Sequence, residues 1–217
     1  MTDVDVYWSF RSPYSYLATP ELVRLADEFD VAVNLRVVLP IAVRTKETVF
    51  DPKNRKPAQY IMMDSARRAE FLGLPMSFPP TPDPVVQDYA TFEVADEQPY
   101  IFRLCKLGVE AQRQGRGMEF AARVSRVILG GTKDWDQGDH LKNAAAAAGL
   151  DLDQMDRAIA DGDHLAEIEQ NQKDLDASGH WGVPTMVVRG EPFFGQDRIE
   201  TLRWRLDKLG LRKSSSH

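Results

Sequence analysis

The chain has 217 residues, of which 43% are hydrophobic, enough to bury a substantial core. Its formal net charge of −6 argues against a broad nucleic-acid-binding surface, which needs a stripe of basic residues. The only cysteine, Cys105, excludes an internal disulfide, and no segment reaches the ~20 apolar residues of a membrane-spanning helix. Because the N-terminus leads directly into a strand-like segment, we expect a cytoplasmic protein without a membrane or nucleic-acid partner.

The first 40 residues predict a strand, a helix and a second strand. Apolar runs over residues 4–10 and 33–39 indicate two buried strands, and apolar residues between them recur at helical spacing. Thr19 followed by Pro20 predicts that the helix restarts there, with Thr19 as its N-cap. Since a helix connects the two strands, they should be parallel.

Residues 41–178 predict an inserted, all-helical domain. Six segments have helix-compatible composition: 59–72, 98–114, 118–129, 140–148, 152–160 and 164–177. Asp151 is placed as the N-cap of the fifth segment. Four prolines within residues 79–84 forbid a helix there and predict an extended connector.

Residues 179–211 predict a return to the sheet. Segments 184–188 and 191–194 read as strands joined by a hairpin turn at Arg189-Gly190, followed by a closing helix. The fold class is therefore α/β, a thioredoxin-like βαβ–ββα core of residues 1–40 and 179–211 that carries the helical insertion. Residues 212–217 lack apolar periodicity and are expected to be a disordered tail.

The junction of the first strand and helix carries the sequence Ser12-Pro13-Tyr14-Ser15. In the thioredoxin-like layout, a redox enzyme has Cys-x-x-Cys at this junction. A serine cannot form a disulfide, but its hydroxyl can donate a hydrogen bond to the thiolate of another molecule. The loop therefore predicts a protein that uses the sulfur of a bound thiol, and the lack of a resolving cysteine argues against a dithiol oxidoreductase.

Two motifs at opposite ends of the chain resemble the 2-hydroxychromene-2-carboxylate isomerases, which are relatives of the kappa-class glutathione transferases. One is SFRSPYSYLA over residues 9–18, and the other combines GVPT over 182–185 with GEPFFGQDR over 190–198. The resemblance extends over essentially the whole chain. It implies a DsbA-like thioredoxin fold, glutathione as the bound thiol, and a homodimer.

The same resemblance implies a reaction. The glutathione thiolate would add reversibly to a small-molecule substrate, an unsaturated aromatic or pyruvate-type carboxylate, and the adduct would rotate about a single bond before elimination. Two alternatives stay open: a kappa-type transferase that releases the thioether product, and a module that binds glutathione without turnover.

Ser12 is the candidate catalytic residue. An ordinary thiol has a pKa near ~8.5, and a hydrogen bond to its thiolate, worth roughly 1.5–3 kcal/mol, lowers that pKa by about one to two units. Ser12 can also act only as a helix cap, and the two roles are compatible. Arg11 replaces the apolar residue usual in the family; it is a candidate for binding the substrate carboxylate, for adding positive charge near the thiolate, or for facing solvent.

The resemblance assigns glutathione binding to further residues. It implies a cis bond between Val183 and Pro184, which presents the Val183 backbone to the cysteinyl residue of glutathione. Gln196 and Asp197 would hold the γ-glutamyl end, although Asp197 is equally explained as an N-cap. Asn54 would contact glutathione or serve only in a turn.

Other signals are weaker. A locally basic region could receive a carboxylate of glutathione or of an anionic substrate, and it consists of Arg44, Lys46, Arg55 and Lys56. Trp135 and Trp181 could wall an aromatic pocket or pack in the core. The histidines lack metal-ligand spacing, so no metal site is predicted.

Overall fold

The computed structural model describes residues 1–44 and 51–214. In chain order the elements are β1 (Thr2–Trp8), α1 (Pro13–Glu28), β2 (Val31–Val37), α2 (Ile41–Arg44), α3 (Lys56–Leu72), α4 (Ile101–Arg113), α5 (Gly117–Leu129), α6 (His140–Ala147), α7 (Leu152–Ala160), α8 (His164–Ala177), β3 (Thr185–Val188), β4 (Glu191–Phe194) and α9 (Ile199–Lys208), with a 3-10 turn at Gln196–Arg198 before α9. Within the two described ranges, no helix is both long and apolar enough to span a membrane.

The four strands form one mixed sheet in the order β2-β1-β3-β4. β1 and β2 are parallel, as the helical connection predicts, and β3 pairs antiparallel with both β1 and β4. Arg189 and Gly190 both have positive φ, 50° and 78°, which suits the two-residue turn of a hairpin. The predicted α/β class and βαβ–ββα order are confirmed.

The first two strands begin and end two residues earlier than predicted. Ser9 and Phe10 leave the ladder because the chain turns there, with the Ser12 amide donating to the Ser9 carbonyl at 3.1 Å. This turn places Ser12 at the carboxyl end of β1, directly before α1.

The predicted helix restart at Thr19 is wrong, because α1 is continuous through Pro20. Pro20 has no amide hydrogen to give to the carbonyl of Tyr16, four residues earlier. The Thr19 hydroxyl donates to that carbonyl instead, at 2.6 Å. The side chain thus satisfies the acceptor that the proline leaves open, and the helix passes through.

The insertion packs on the sheet through α4, α5 and α8, which all contact β2. One buried cluster contains side chains from both parts of the chain, such as Val6 and Leu202 from the sheet-bearing part and Leu104 and Val124 from the insertion. The division into two domains therefore stays a prediction.

Two residues of the predicted tail, Arg212 and Lys213, are bonded to the rest of the protein. Arg212 forms a β-bridge with Phe29 and an ion pair with Asp207, and the Lys213 amide donates to the Glu28 carbonyl at 3.0 Å. The expectation of disorder is wrong for these two residues, because the chain here pairs with Phe29, directly after α1, and with Glu28 at its end. Residues 215–217 lie outside the described residues.

At Gly108, α4 packs closely against Phe10 and against Val37 of β2. A Cβ atom at this position would lie 2.7 Å from Phe10 Cε2 and 2.8 Å from Val37 Cγ2. We expect Gly108→Ala to lower the free energy of unfolding by about 1–3 kcal/mol through overpacking. At an exposed helix position, Gly→Ala instead raises the free energy of unfolding by about 1 kcal/mol. The sign of the change in stability therefore distinguishes a tightly packed glycine from an exposed one. Urea denaturation measures it, and a gain in stability would contradict the close packing.

Candidate active site

A pocket of about 530 Å³ opens where the start of α1 meets the loop before β3. Ser12 and Val183 both line it. Six aromatic side chains form much of the remaining wall: Tyr14, Phe78, Tyr89, Phe92, Trp181 and Phe194. The charged lining residues among those described are Arg11, Arg44 and Arg55, with no aspartate or glutamate. The pocket is thus aromatic and positively charged, in a protein whose net charge is negative.

Ser12 is hydrogen-bonded both within the start of α1 and to the loop before β3. Its Oγ accepts a hydrogen bond from the Ser15 amide at 3.1 Å, which caps α1, and its hydroxyl donates to the Val183 carbonyl at 3.4 Å. No acidic residue lies in the first turn of α1, so the positive end of the helix dipole is not compensated there. The site can therefore stabilise a negative charge beside Ser12.

Val183 and Pro184 are joined by a cis peptide bond, as predicted. The Pro184 carbonyl accepts a hydrogen bond from the Gly195 amide at 2.9 Å, which brings the turn at Gln196 close to the same loop. Gln196 Oε1 accepts from Arg68 Nε at 2.9 Å. The interpretation of Asp197 as an N-cap is wrong, because its carboxylate pairs with Arg198 at 2.9 Å and α9 has no side-chain cap.

Asn54 lies beside the pocket rather than in its wall. It is exposed, and its amide donates to the Asp51 carbonyl at 2.9 Å in a tight turn. The following residue, Arg55, does line the pocket. The contact of Asn54 with glutathione stays a prediction, and Lys46 lies outside the described residues.

Arg11 is buried at the pocket and paired, not directed to solvent. Its Nε and Nη2 donate to the two carboxylate oxygens of Asp83, both at 2.8 Å, and the side chains are only 10% and 8% exposed. Burial disfavours the charged guanidinium, but the hydrogen bonds and charge of Asp83 outweigh it and raise the pKa of Arg11 above its ordinary value. Asp83 therefore already balances the charge of Arg11. The Tyr89 hydroxyl also donates to Asp83.

The aromatic side chains of the pocket wall are held in place by neighbouring residues. The Tyr14 hydroxyl donates to Asp64 Oδ2 on α3 at 2.7 Å, and burial together with this carboxylate raises the pKa of Tyr14.

His180 stacks on Phe194, with ring centroids 3.8 Å apart, and on Trp181 at 5.5 Å. The Gly182 amide donates to His180 Nδ1 at 2.9 Å, and burial lowers the pKa of this imidazole. His180 is therefore a neutral support for the wall.

The two candidate tryptophans have different roles. Trp181 is half-exposed and lines the pocket. Trp135 is buried in the core, and its indole N–H donates to the Pro82 carbonyl at 2.7 Å, which fixes the proline-rich connector. The suggestion that Trp135 walls the pocket is therefore wrong.

The protein does not supply a reactive thiol of its own. Cys105 lies in α4 with no exposed surface, and burial raises the pKa of its thiol. Its thiolate is thus strongly disfavoured, and no disulfide or nucleophilic chemistry can start from it. Among the described residues, no group of three or more His, Cys, Asp or Glu side chains is arranged to hold a metal ion.

The sheet order, the helical insertion and the pairing of a helix-capping Ser12 with a cis-proline loop point to one family. Residues 3–207 match the DSBA-like thioredoxin domain family. The chain belongs to this family. Within the family, the Ser12 loop occupies the start of α1 without either of the cysteines that a disulfide-forming member needs.

Among proteins of known function, this chain is similar to isomerases. The 2-hydroxychromene-2-carboxylate isomerase of Sphingobium xenophagum is 27% identical over 202 residues, which cover 92% of this chain and 95% of the relative. This similarity confirms the family resemblance found in the sequence and supports an isomerase of that kind.

Two solved structures share the fold. A 2-hydroxychromene-2-carboxylate isomerase has a TM-score of 0.66 at 22% identity and covers 96% of each chain. The cytosolic disulfide reductase DsbM from Pseudomonas aeruginosa, solved with GSH, has a TM-score of 0.58 at 16% identity and covers 94% of this chain and 99% of its own. The fold thus occurs in both isomerases and oxidoreductases. The residues of the pocket, and not the fold, determine which chemistry a member carries out.

Proposed function

We propose that the protein is a glutathione-dependent isomerase of an unsaturated aromatic or pyruvate-type carboxylate similar to 2-hydroxychromene-2-carboxylate. The observation that carries the proposal is the Ser12 hydroxyl, held at the start of α1 beside the Val183 carbonyl and at the wall of an aromatic, positively charged pocket. A thiolate needs the hydrogen-bond donor, the ring of the substrate needs the aromatic wall, and its carboxylate needs a cation.

Glutathione would lie along the loop before β3. Its cysteinyl backbone would pair with the Val183 backbone like an added strand, which directs the sulfur towards Ser12. The contact between the Pro184 carbonyl and the Gly195 amide supports a γ-glutamyl position near Gln196 and Asp197. Asn54 and Arg55 would then flank the other end of the ligand. The solved complex of the DsbM protein with GSH supports glutathione as a ligand of this fold.

The reaction follows from reversible addition. The sulfur forms a bond to a conjugated carbon of the substrate, and the electron pair of the carbon–carbon double bond moves into the conjugated carbonyl oxygen. The former double bond rotates as a single bond. Return of the electron pair expels the thiolate, so the isomer is released and glutathione is unchanged. Ser12 acts at the sulfur by stabilising the thiolate before addition and after elimination.

Assembly as a homodimer is part of the proposal. Four large apolar side chains on α3 are 46–77% exposed, which supports a surface that another copy covers. They are Tyr60, Met62, Met63 and Phe71.

The decisive experiment measures product and free thiol in the same reaction. The protein is incubated with glutathione and 2-hydroxychromene-2-carboxylate, the isomer is followed by absorbance, and free thiol is titrated at intervals. We expect the isomer to form while the thiol concentration stays constant. S-Methylglutathione is the control ligand, since it should occupy the site without supporting turnover.

Three other results would each contradict the proposal in a different way. Loss of one thiol per product would indicate a transferase. Calorimetric binding of glutathione without any product from chromene carboxylates would indicate a binding module. Absence of glutathione binding would remove the thiol mechanism altogether.

A further inference from the structure

The residue before Val183 is fixed at both of its backbone polar groups. The Gly182 amide donates to His180 Nδ1 at 2.9 Å, and the Gly182 carbonyl accepts from the Thr185 hydroxyl at 2.7 Å. A Cβ atom on Gly182 would lie 2.5 Å from Phe194 Cε2, so this ring packs directly on the glycine. The loop that carries Val183 is therefore fixed in one conformation, and the side chain of His180 provides one of the bonds that fix it.

The bond from Gly182 to His180 defines the protonation state of the imidazole. A ring nitrogen that accepts a hydrogen bond carries no proton, so the neutral ring has its proton on Nε2. Protonation would add a hydrogen to Nδ1, and two donors would then face each other across 2.9 Å. A charged His180 is thus incompatible with the present position of Gly182. Burial favours the same neutral form, since it lowers the pKa of His180 below its ordinary value.

The His180 ring is surrounded by aromatic groups. It stacks on Phe194 of β4 and on Trp181. The charged groups on the neighbouring elements contact other residues; they are Arg44 of α2, Asp176 of α8 and Glu191 of β4. Within the described ranges, no charged side chain forms a hydrogen bond or an ion pair with the imidazole. A proton that binds to His180 therefore gains no carboxylate partner there, and its cost falls on the loop.

We propose that His180 is a positioning residue for glutathione and that only its neutral form supports tight binding; the inference rests on the proposed function, which supplies the ligand. In that binding mode the cysteinyl backbone of glutathione pairs with Val183, directly after Gly182. A ligand that selects the present loop conformation also selects the neutral imidazole, because binding and protonation are linked. Affinity for glutathione should therefore fall as the pH drops below about 6.5, the ordinary pKa of histidine. His180 takes no part in bond making.

Two substitutions separate the acceptor of His180 from its ring. His180→Asn keeps an acceptor that does not titrate, because an asparagine side chain commonly accepts from the backbone amide two residues ahead. His180→Phe keeps an aromatic ring for the stack and lacks the acceptor. At about pH 7.5 we expect His180→Asn to bind glutathione with near wild-type affinity, and His180→Phe to bind it about threefold more weakly or worse.

The pH profile of binding is the decisive measurement. Calorimetric titrations with S-methylglutathione between about pH 5 and 7.5 involve no thiol, and only histidine side chains ordinarily change charge in this range. The ratio of the wild-type affinity to that of His180→Asn cancels all titrations except that of His180, and it should fall about threefold or more towards pH 5. His140→Asn is the matched control. It removes an exposed imidazole at the start of α6, outside the pocket, and should keep the wild-type profile.

A second measurement needs no ligand. In nuclear magnetic resonance spectra, the Gly182 amide signal should shift with the protonation of His180 in the wild type and stay constant in His180→Asn. A ratio of affinities that does not change with pH would overturn the proposal. Wild-type affinity of His180→Phe together with weak binding by His180→Asn would overturn it as well, because His180 would then act only by stacking.

Failure of the proposed function gives a different result. If glutathione binds but supports no turnover, the pH dependence of binding and its loss in His180→Asn persist. Absence of binding at every pH would refute glutathione as the ligand, whereas the Gly182 signal would still follow the protonation of His180.

Discussion

Ser12→Ala should lower isomerase activity at neutral pH about tenfold or more, while the affinity for glutathione stays nearly unchanged. In the proposed binding mode most contacts with glutathione lie along Asn54, Val183 and Asp197, so we expect binding not to depend on the Ser12 hydroxyl. In the proposed mechanism the rate depends on the thiolate fraction, and loss of a hydrogen bond of about 1.4 kcal/mol would raise the pKa of the bound thiol by about one unit. Ultraviolet absorbance of the complex against pH should therefore show thiolate formation at higher pH in the variant.

The control for this prediction separates catalysis from helix capping. Because Ser12 Oγ also accepts from the Ser15 amide at 3.1 Å, Ser12→Ala should cost about 0.5–2 kcal/mol of stability. Asp151 caps α7 in the same way, accepting from the Gln154 amide at 3.0 Å, and lies outside the pocket. Asp151→Ala should therefore cost similar stability with full activity. Superimposable thiol titrations of wild type and Ser12→Ala would leave Ser12 as a cap alone.

Asp83→Asn should destabilise the protein by about 3–5 kcal/mol. The substitution leaves the Arg11 guanidinium buried without its counter-charge, and such a lone charge is far more costly than the pair. The matched control is Asp156, which pairs with Arg103 in the same two-bond geometry at 2.8 and 2.7 Å, but with side chains 35% and 40% exposed. Asp156→Asn should cost only about 0–1 kcal/mol, since water screens that pair.

Thermal and urea denaturation of both variants measure the difference. Replacing both partners, by Arg11→Met together with Asp83→Leu, should recover only part of the loss. No charge then remains to be desolvated, but the Tyr89 hydroxyl and the Val85 amide lose the acceptor that Asp83 gives them. If Asp83→Asn lowers the free energy of unfolding no more than Asp156→Asn does, water screens the Arg11–Asp83 pair in solution. That result would contradict the burial of this ion pair.

Local signals in the sequence were sufficient for most of the fold. The Arg189-Gly190 turn was predictable because few residue pairs accept two positive φ angles, and the Asp151 cap because its side chain bonds three residues ahead. Pro20 misled the prediction for a specific reason. Proline normally ends a helix, and the compensating bond from Thr19 to the Tyr16 carbonyl depends on a rotamer that the sequence does not state.

The candidate site was predictable only where a motif marks it. Ser12 and Val183 were identified as a pair although 171 positions separate them, because both carry family signatures. Asp83 has no such signature; it meets Arg11 across 72 positions because the proline-rich connector folds back over the start of α1. Trp135 and Trp181 are chemically identical in the sequence, and only the path of the chain decides which is buried.

The bond between Ser12 and Val183 has a consequence for the choice of thiol. The hydroxyl carries a single hydrogen, which the Val183 carbonyl accepts at 3.4 Å in this structure. A thiolate that takes this hydrogen leaves the carbonyl without a donor. A ligand with an N–H group close to its sulfur can replace that donor itself, so a cysteinyl peptide conserves the hydrogen bond, whereas a simple alkyl thiol supplies no donor for it. Discrimination between thiols would thus begin at one rotating hydroxyl, before any contact with the rest of glutathione.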